Sequence, residues 1–331
     1  MPEAGSADGA FAISNDAQYR PARVLGDQHL LVSGPGGAGL LLCHSSRPLD
    51  TAHRQAGPLV VVIHGALRDS DRYLVHARAA ARRAGSDALV VAPQFLSDVD
   101  TGISDIGISD TAAPDGVLRW EVEGWKGGYP ALRPAALSSF AAMDSLLDQL
   151  TRPADPGRQL GVVIFGNSAG GQFVNRYAAV GRGPQALARR GIHVRYVVAN
   201  PSTYLYFDGD RPVAVQDRSS VNRWRYGFED APAYVRTSPR ESLERYLGRD
   251  VAIVLGARDR DGAAPLLEVS PPALAQGANR FERGVNYDRH VRGLARARRL
   301  RMTHPLVRLP GVGHAAEEVL AAPQLQPIMF G

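Results

Sequence analysis

Short, wholly apolar segments recur along this chain and constrain its fold more than any other feature. The segments LVVVI at 59–63 and LGVVIF at 160–165 carry no polar side chain, which is typical of strands buried on both faces of a sheet. Stretches in which apolar residues recur at helical spacing separate these segments. The alternation predicts an α/β fold in which helices cover a mostly parallel sheet.

Eight candidate strands and five candidate helices follow from this pattern. The strands are 29–33, 40–43, 59–63, 88–92, 160–165, 194–199, 251–255 and 306–309. The sequence GPGGAG separates the first two and predicts an antiparallel hairpin. The helices are 71–84, 134–150, 169–180, 287–300 and 315–321. The second helix is expected to begin at Pro134, because proline is tolerated in the first turn.

Two long segments, 96–132 and 201–250, interrupt the alternation. We expect a single domain over residues 1–331, with 96–132 as a loop near the functional site and 201–250 as a cap-like insert, because long loops in compact domains usually carry function. Trp120, Trp125 and Tyr204 lie in these inserts. They are predicted to line a substrate pocket. The alternative is that they anchor the loops onto the body of the protein.

The chain is basic, with 38 Lys and Arg residues against 33 Asp and Glu residues. Its densest basic run, RGLARARRLR at 292–301, places Leu294, Ala297 and Leu300 at helical spacing. That spacing predicts a helix with one apolar stripe and a solvated basic face. No nucleic-acid-binding signature accompanies the run, so we expect no nucleic-acid partner.

Cysteine usage and acidic spacing argue against a metal or cofactor. Cys43 is the single cysteine, which excludes an internal disulfide and a cysteine metal cluster. The acidic segment 98–110 fails the spacing of a helix-loop-helix calcium site. Ile103 stands where glycine is required, and Ser109 stands where a bidentate glutamate is required. We expect neither a metal nor a cofactor.

The sequence carries no sign of membrane insertion or export. No segment approaches the roughly 18 apolar residues of a membrane-spanning helix. The N-terminus, MPEAGSADGAFAISNDAQYR, has no basic patch followed by an apolar run, which a secretory signal would have. We therefore expect no membrane partner and a cytoplasmic location.

The sharpest local feature is the pentapeptide Gly166-Asn167-Ser168-Ala169-Gly170, which lies between a predicted strand and a predicted helix. A G-x-S-x-G turn holds its serine in a strained backbone conformation with the hydroxyl exposed, and its glycines let strand and helix cross closely. The helix N-terminus favours negative charge beside the hydroxyl. Ser168 is therefore the candidate nucleophile.

A serine hydroxyl needs a general base, and the base needs an acid that orients it. His314 follows the last predicted strand, at the same sheet edge as Ser168, and is the candidate base. The acid is expected after the preceding strand. Asp259 is the first choice there, and Asp261 remains the alternative.

Attack on a carbonyl also requires two backbone N–H groups that stabilise the oxyanion. Ala169, directly after the nucleophile, is expected to supply one. Ala66 is expected to supply the other, because it lies after strand 59–63 and Gly65 lets the backbone turn there. His64 is expected to stabilise this loop by hydrogen bonding and to take no part in the chemistry.

In chain order, Ser168, Asp259 and His314 resemble the nucleophile, acid and base of the α/β-hydrolase superfamily. The resemblance covers roughly residues 30–320 and implies an eight-stranded, mostly parallel sheet with a Ser-His-Asp triad at its carboxyl edge. The short HGAL loop and the long inserts look similar to polyhydroxyalkanoate-depolymerase-like or dienelactone-hydrolase-like esterases.

The resemblance implies a serine hydrolase that cleaves small or polymeric carboxylic esters through an acyl-enzyme on Ser168. Two alternatives remain open. One is an amide or peptide hydrolase of aminopeptidase type, in which Glu121, Glu123 or Asp208 holds a free amine. The other is a non-catalytic binding protein on the same scaffold, although such proteins usually lack a member of the triad.

Overall fold

Eight strands form a single sheet in the computed structural model, which describes residues 15–50, 57–101, 116–152, 161–216 and 218–331. Most of the acidic segment 98–110 lies outside these residues. The strands are β1 (Gln28–Gly34), β2 (Gly37–Ser45), β3 (Leu59–Ile63), β4 (Leu89–Gln94), β5 (Gly161–Asn167), β6 (His193–Ala199), β7 (Asp250–Gly256) and β8 (Leu306–Leu309).

The strand order is β1-β2-β4-β3-β5-β6-β7-β8. The β1–β2 and β2–β4 pairs are antiparallel, and every later pair is parallel. The predicted hairpin and the mostly parallel sheet are therefore confirmed. Strand β5 lies at the centre, with Gly166 opposite Ile63 on one side and Val198 on the other. The carboxyl ends of β5 to β8 consequently meet at one edge of the sheet.

Helices cover both faces of the sheet. The helices found in the described residues are α1 (Ser70–Arg83), α2 (Ser139–Leu150), α3 (Ala169–Val180), α4 (Gly183–Arg189), α5 (Pro239–Leu247), α6 (Pro271–Leu274), α7 (Arg280–Ala297), α8 (Ala316–Ala321) and α9 (Gln326–Phe330). On one face, α1, α8 and α9 pack over one core cluster, and on the other α2, α3, α4, α5 and α7 pack over a larger one.

Side-chain caps explain where the helix boundaries differ from the prediction. Helix α2 begins at Ser139, and the predicted start at Pro134 is wrong, because the hydroxyl of Ser138 accepts a hydrogen bond from the N–H of Phe140 and caps the helix there. Helix α7 begins at Arg280, seven residues before the predicted start, because the side chain of Asn279 caps it.

The basic run at 292–301 is only partly helical. Helix α7 ends at Ala297, and Arg299 then adopts a φ of 56°. Leu294 and Leu300 pack against the core, whereas Ala297 is exposed and does not belong to the apolar stripe. In the described residues, no helix combines the length and the apolar character that crossing a membrane requires.

The two inserts contact each other above the carboxyl edge. The first insert pairs with β2 through an isolated bridge between Leu40 and Val117, and a second bridge joins Ser97 to Trp120 within the insert. The second insert contains α5, which was not predicted. The indole N–H of Trp224, also in the second insert, donates to the carbonyl of Gly127 at 2.7 Å. This bond joins the two inserts beside the start of α3.

Candidate active site

Ser168 lies in a strained turn between β5 and α3. Its φ of 60° and ψ of −120° are unusual for a residue with a side chain, and its side chain is partly exposed. The N–H of Ser168 donates to the carbonyl of Ala199 at 3.0 Å, which ties the turn to the neighbouring strand β6. The turn thus presents a hydroxyl at the carboxyl edge and at the N-terminus of a helix.

The glycines around Ser168 are required by close backbone contacts. A Cβ on Gly166 would lie 2.2 Å from the carbonyl oxygen of Gly170, and a Cβ on Gly170 would lie 2.2 Å from that of Ile63. Both obstacles are backbone atoms, which no side-chain rotation can move. Strand and helix therefore cross at a distance that only glycine permits at these positions.

Asp259 and His314 are hydrogen-bonded at the same edge. Oδ2 of Asp259 lies 2.7 Å from Nδ1 of His314, with the aspartate side chain 3% exposed and the imidazole 32% exposed. The alternative acid, Asp261, is exposed and accepts the N–H of Ala263. Of the two aspartates considered, the structure pairs Asp259 with the histidine.

A buried arginine lies behind this pair. The guanidinium of Arg280, 1% exposed, is 3.6 Å from Oδ1 of Asp259 and donates to the carbonyl of Pro265. Burial lowers the pKa of His314 below its usual 6.5, and the charge of Arg280 lowers this pKa further. The hydrogen bond to Asp259 raises it, but not enough to offset burial. The imidazole is therefore kept neutral, as a general base requires.

Ala66 lies in a tight turn after β3. The N–H of Arg68 donates to the carbonyl of Gly65 and closes the turn, and the guanidinium of Arg68 donates to the carbonyl of Ala66 at 2.9 Å. Arg68 is itself held by Asp100, at 2.7 Å between two fully buried side chains. Ala169 is the first residue of α3, where helical N–H groups have no intrahelical partner.

His64 is held by two backbone groups. Its Nδ1 lies 2.8 Å from the carbonyl of Gly65, and its Nε2 accepts the N–H of Phe95 at 2.9 Å. Burial lowers the pKa of His64 to about 4, against the opposing bond to Gly65. A neutral imidazole with both nitrogens engaged stabilises this loop, as the sequence indicates, and has no nitrogen left for catalysis.

The three aromatic residues predicted to line a pocket are all fully buried. The indole of Trp120 donates to the carbonyl of Leu137, and Trp125 packs between His64 and Phe173. Tyr204 stacks on Tyr287 at 4.4 Å between ring centroids. The structure therefore gives Trp120, Trp125 and Tyr204 packing roles, because none of them has surface that a substrate in solution can reach.

Several residues around the site could not be identified from the sequence. Arg280, Arg68 and Asp100 lie far apart in the chain, and nothing in their local sequence distinguishes them from surface charges. Asn167 and Asn200 also stand out, because their side chains are fully buried and bonded to each other. A partial signal existed for Asn167, which is part of the pentapeptide and directly precedes Ser168.

Solved structures of other proteins are similar to this one, although their sequences differ widely. Neither a protein-family model nor a curated protein matches the sequence. Poly(aspartic acid) hydrolase-1 from Sphingomonas sp. KT-1 superposes with a TM-score of 0.63 at 24% identity, over 94% of this chain and 100% of that chain. LpqC, a poly(3-hydroxybutyrate) depolymerase from Bordetella parapertussis, superposes with a TM-score of 0.59 at 24% identity, over 84% and 80% of the two chains.

This chain has the α/β-hydrolase fold. The strand order, the turn at Ser168 and the positions of Asp259 and His314 after β7 and β8 agree with that fold. The predicted fold class is therefore confirmed.

Proposed function

We propose that this protein is a serine hydrolase that cleaves carboxylic esters through an acyl-enzyme on Ser168. The observation that carries the proposal is the partly buried bond between Asp259 and His314 at the sheet edge where the strained turn presents Ser168. A hydroxyl, a neutral imidazole and a carboxylate in this order are the parts that acyl transfer requires.

Each residue has a distinct role in the proposed reaction. The hydroxyl oxygen of Ser168 attacks the ester carbonyl, and Nε2 of His314 accepts the hydroxyl proton. Asp259 meanwhile accepts a hydrogen bond from Nδ1–H of His314. The N–H groups of Ala66 and Ala169 bind the oxyanion. His314 then returns the proton to the departing alcohol, and water releases the acid from Ser168 by the same steps in reverse.

The amide alternative receives less support from the charges near the inserts. The carboxylate of Glu123 lies 2.6 Å from the ammonium of Lys126 and 2.7 Å from the guanidinium of Arg225. Burial raises the pKa of Glu123, but these two cations outweigh burial and hold that pKa at about 2. Asp208 is likewise engaged by His290 at 3.0 Å. Neither of these two acids is free to bind the amine of an aminopeptidase substrate, which leaves the exposed Glu121 as the acid that the alternative requires.

A polymeric substrate is compatible with the proposal. The two structures reported above are described as a poly(aspartic acid) hydrolase and a poly(3-hydroxybutyrate) depolymerase. Hydroxyacid polyesters therefore belong in a substrate panel beside small esters. No nucleic acid, membrane or cofactor enters the proposed reaction.

A turnover comparison tests the proposal. Purified wild type and Ser168→Ala are assayed on p-nitrophenyl esters of increasing acyl length, on hydroxybutyrate oligomers and on aminoacyl p-nitroanilides. We expect ester cleavage that Ser168→Ala abolishes, with kcat/KM for esters exceeding that for anilides. Dominant anilide cleavage would favour the amide alternative, and no cleavage of any substrate would favour a binding protein.

A further inference from the structure

Two buried asparagines connect the ends of three neighbouring strands to the loop that carries His314. The N–H of Gly256, at the end of β7, donates to Oδ1 of Asn200 at 2.8 Å. Nδ2 of Asn200 donates to Oδ1 of Asn167 at 3.2 Å, and Nδ2 of Asn167 donates to the carbonyl of His314 at 3.0 Å. We call this series the asparagine chain.

The two ends of the asparagine chain fix the orientation of both amides. The N–H of Gly256 can only donate, so Asn200 presents its oxygen there and its NH2 to Asn167. Asn167 therefore accepts with its oxygen, which leaves its NH2 for the carbonyl of His314, a group that can only accept. Turning either amide would break the bonds on both of its sides, so the chain acts as a unit.

The asparagine chain joins the backbone segments that carry the three candidate catalytic side chains. Asn167 directly precedes Ser168, Gly256 lies three residues before Asp259, and the last bond ends on His314 itself. In oriented reactions, a displacement of about 1 Å can cost about 100-fold in rate. A side-chain bond between the end of β5 and the backbone of His314 therefore acts directly on the alignment of the base.

The hydrogen bonds of the asparagine chain stabilise unusual backbone conformations at the strand ends. Ser168 after β5 has a φ of 60°, in a region that residues with a side chain seldom occupy, and Asn200 after β6 has a φ of 41°, which asparagine adopts more readily than most residues. Such conformations persist only where the surrounding structure holds them. The bonds from Asn200 to Gly256 and Asn167 are among the contacts that hold them.

We propose that Asn167 and Asn200 are positioning residues that keep the imidazole of His314 aligned with Ser168. The proposal rests on the function proposed above, and neither asparagine touches the reacting atoms. Because the asparagine chain is uncharged, its removal changes the position and hydration of the imidazole without changing the charge around it.

Four charged or titratable side chains lie near His314 or Asn167. Asp259 and Arg280 face the imidazole. The carboxylate of Glu318 accepts the N–H of Gly313, next to His314, at 2.7 Å. The hydroxyl of Tyr73 interacts with the side chain of Asn167 and loses this partner in Asn167→Ala. The other three keep their printed partners in the variants described next.

Asn167→Ala is the direct test, and Asn175→Ala is its matched control. Asn175 is also fully buried and makes two hydrogen bonds, to Leu205 and Tyr287, but it has no link to His314. We expect Asn167→Ala to lower kcat by about 10- to 100-fold with KM within about threefold of wild type. We expect Asn175→Ala to lower the melting temperature without this loss of kcat.

A double-mutant cycle tests whether the two asparagines act as one chain. Asn200→Ala removes the amide that links Gly256 to Asn167. We expect it to lower kcat by about tenfold in the wild-type background and by less than about twofold when residue 167 is alanine. Independent losses in the two backgrounds would overturn the proposal.

A titration of the imidazole by NMR gives a reading that does not depend on turnover. The His314 resonance is assigned by its absence in His314→Gln. We expect Asn167→Ala to move the pKa of His314 upward, toward its usual value, because a released loop lets water reach the ring, and Asn175→Ala to leave it unchanged. If the wild type cleaves no substrate, the proposed function fails and this titration alone decides whether Asn167 positions the ring.

Three results would overturn the positioning role. They are an Asn167→Ala variant with wild-type kcat and an unmoved titration, an equal shift of the titration in Asn175→Ala, or additive losses in the cycle. Should Asn167→Ala fail to fold, the near-isosteric Asn167→Leu replaces it in the kcat measurement, since its apolar side chain cannot donate to the carbonyl of His314. Wild-type kcat in a folded Asn167→Leu would equally overturn the proposal.

Discussion

The guanidinium of Arg280 lies 3.6 Å from Oδ1 of Asp259, while Oδ2 of the same carboxylate binds His314. With both charged side chains almost fully buried, little water screens the arginine from the imidazole. The carboxylate thus faces a cation on one oxygen and a neutral ring on the other. Burial is the larger cause of the lowered pKa of His314, and the charge of Arg280 adds to it, whereas the bond to Asp259 opposes it.

The lowered pKa of His314 sets the acid limit of activity. Protonated His314 cannot act as a base, so activity is lost as the pH falls through this pKa and is retained above it. Burial and Arg280 together outweigh the bond to Asp259, so we expect the midpoint of the acid limb of kcat/KM to lie below pH 6.5, the ordinary value for histidine. A pH profile on a soluble ester measures it. A midpoint at or above pH 6.5 would contradict this prediction.

Replacing Arg280 is expected to move that limb. Arg280→Met removes a buried charge that disfavours protonation of the ring, so the limb should shift to higher pH. Arg280→Lys keeps the charge and should stay closer to wild type. Identical profiles for the two variants would show that the charge of Arg280 does not act on His314. The melting temperature of each variant serves as the folding control.

The ion pair of Arg68 and Asp100 is expected to stabilise the loop that carries Ala66. Both side chains are fully buried, so Arg68→Met leaves an unpaired buried carboxylate and should lower the free energy of unfolding by about 3 to 5 kcal/mol. The exposed pair of Arg152 and Asp148 is the control. Arg152→Met should cost less than about 1 kcal/mol. Urea unfolding measures both, and similar losses in the two variants would contradict the prediction.

Gly170 is expected to tolerate no larger residue. Its Cβ would meet backbone carbonyl oxygens of β3 and the following residue, at 2.2 Å from Ile63 and 2.7 Å from His64. Gly170→Ala should therefore destabilise the protein by about 1 to 3 kcal/mol or more. Gly161→Ala, where no atom of the described residues lies within 4 Å of the added atom, should stay within about 0.5 kcal/mol of wild type. Calorimetry or urea unfolding distinguishes them.

Features that depend on local sequence were predicted most accurately. Strands β3 and β8 and helix α3 have the predicted bounds, because apolar runs and the pentapeptide mark them directly. The start of α2 was missed because proline at 134 suggested a first turn, whereas Ser138 caps the helix. Helix α5, with its capping box from Ser238 to Glu241, was missed because the long insert around it showed no apolar rhythm.

Features that depend on long-range contacts could not be predicted. Whether Asp259 or Asp261 pairs with His314 depends on how the loop after β7 folds, which local spacing does not determine. The burial of Trp120 and Trp125 depends on packing between the first insert and the start of α3. The asparagine chain is a further example, because its bonds cross 33 to 147 residues of sequence.

The most direct measurement of the central claim is the site of covalent labelling by a fluorophosphonate. The wild type is treated with the probe at neutral pH, and the adduct is mapped by mass spectrometry of its peptides. The account predicts one adduct per chain, on Ser168, which Ser168→Ala abolishes and His314→Gln strongly slows. A folded wild-type protein that forms no adduct, or forms it on another residue, would contradict the assignment of Ser168 as an activated nucleophile.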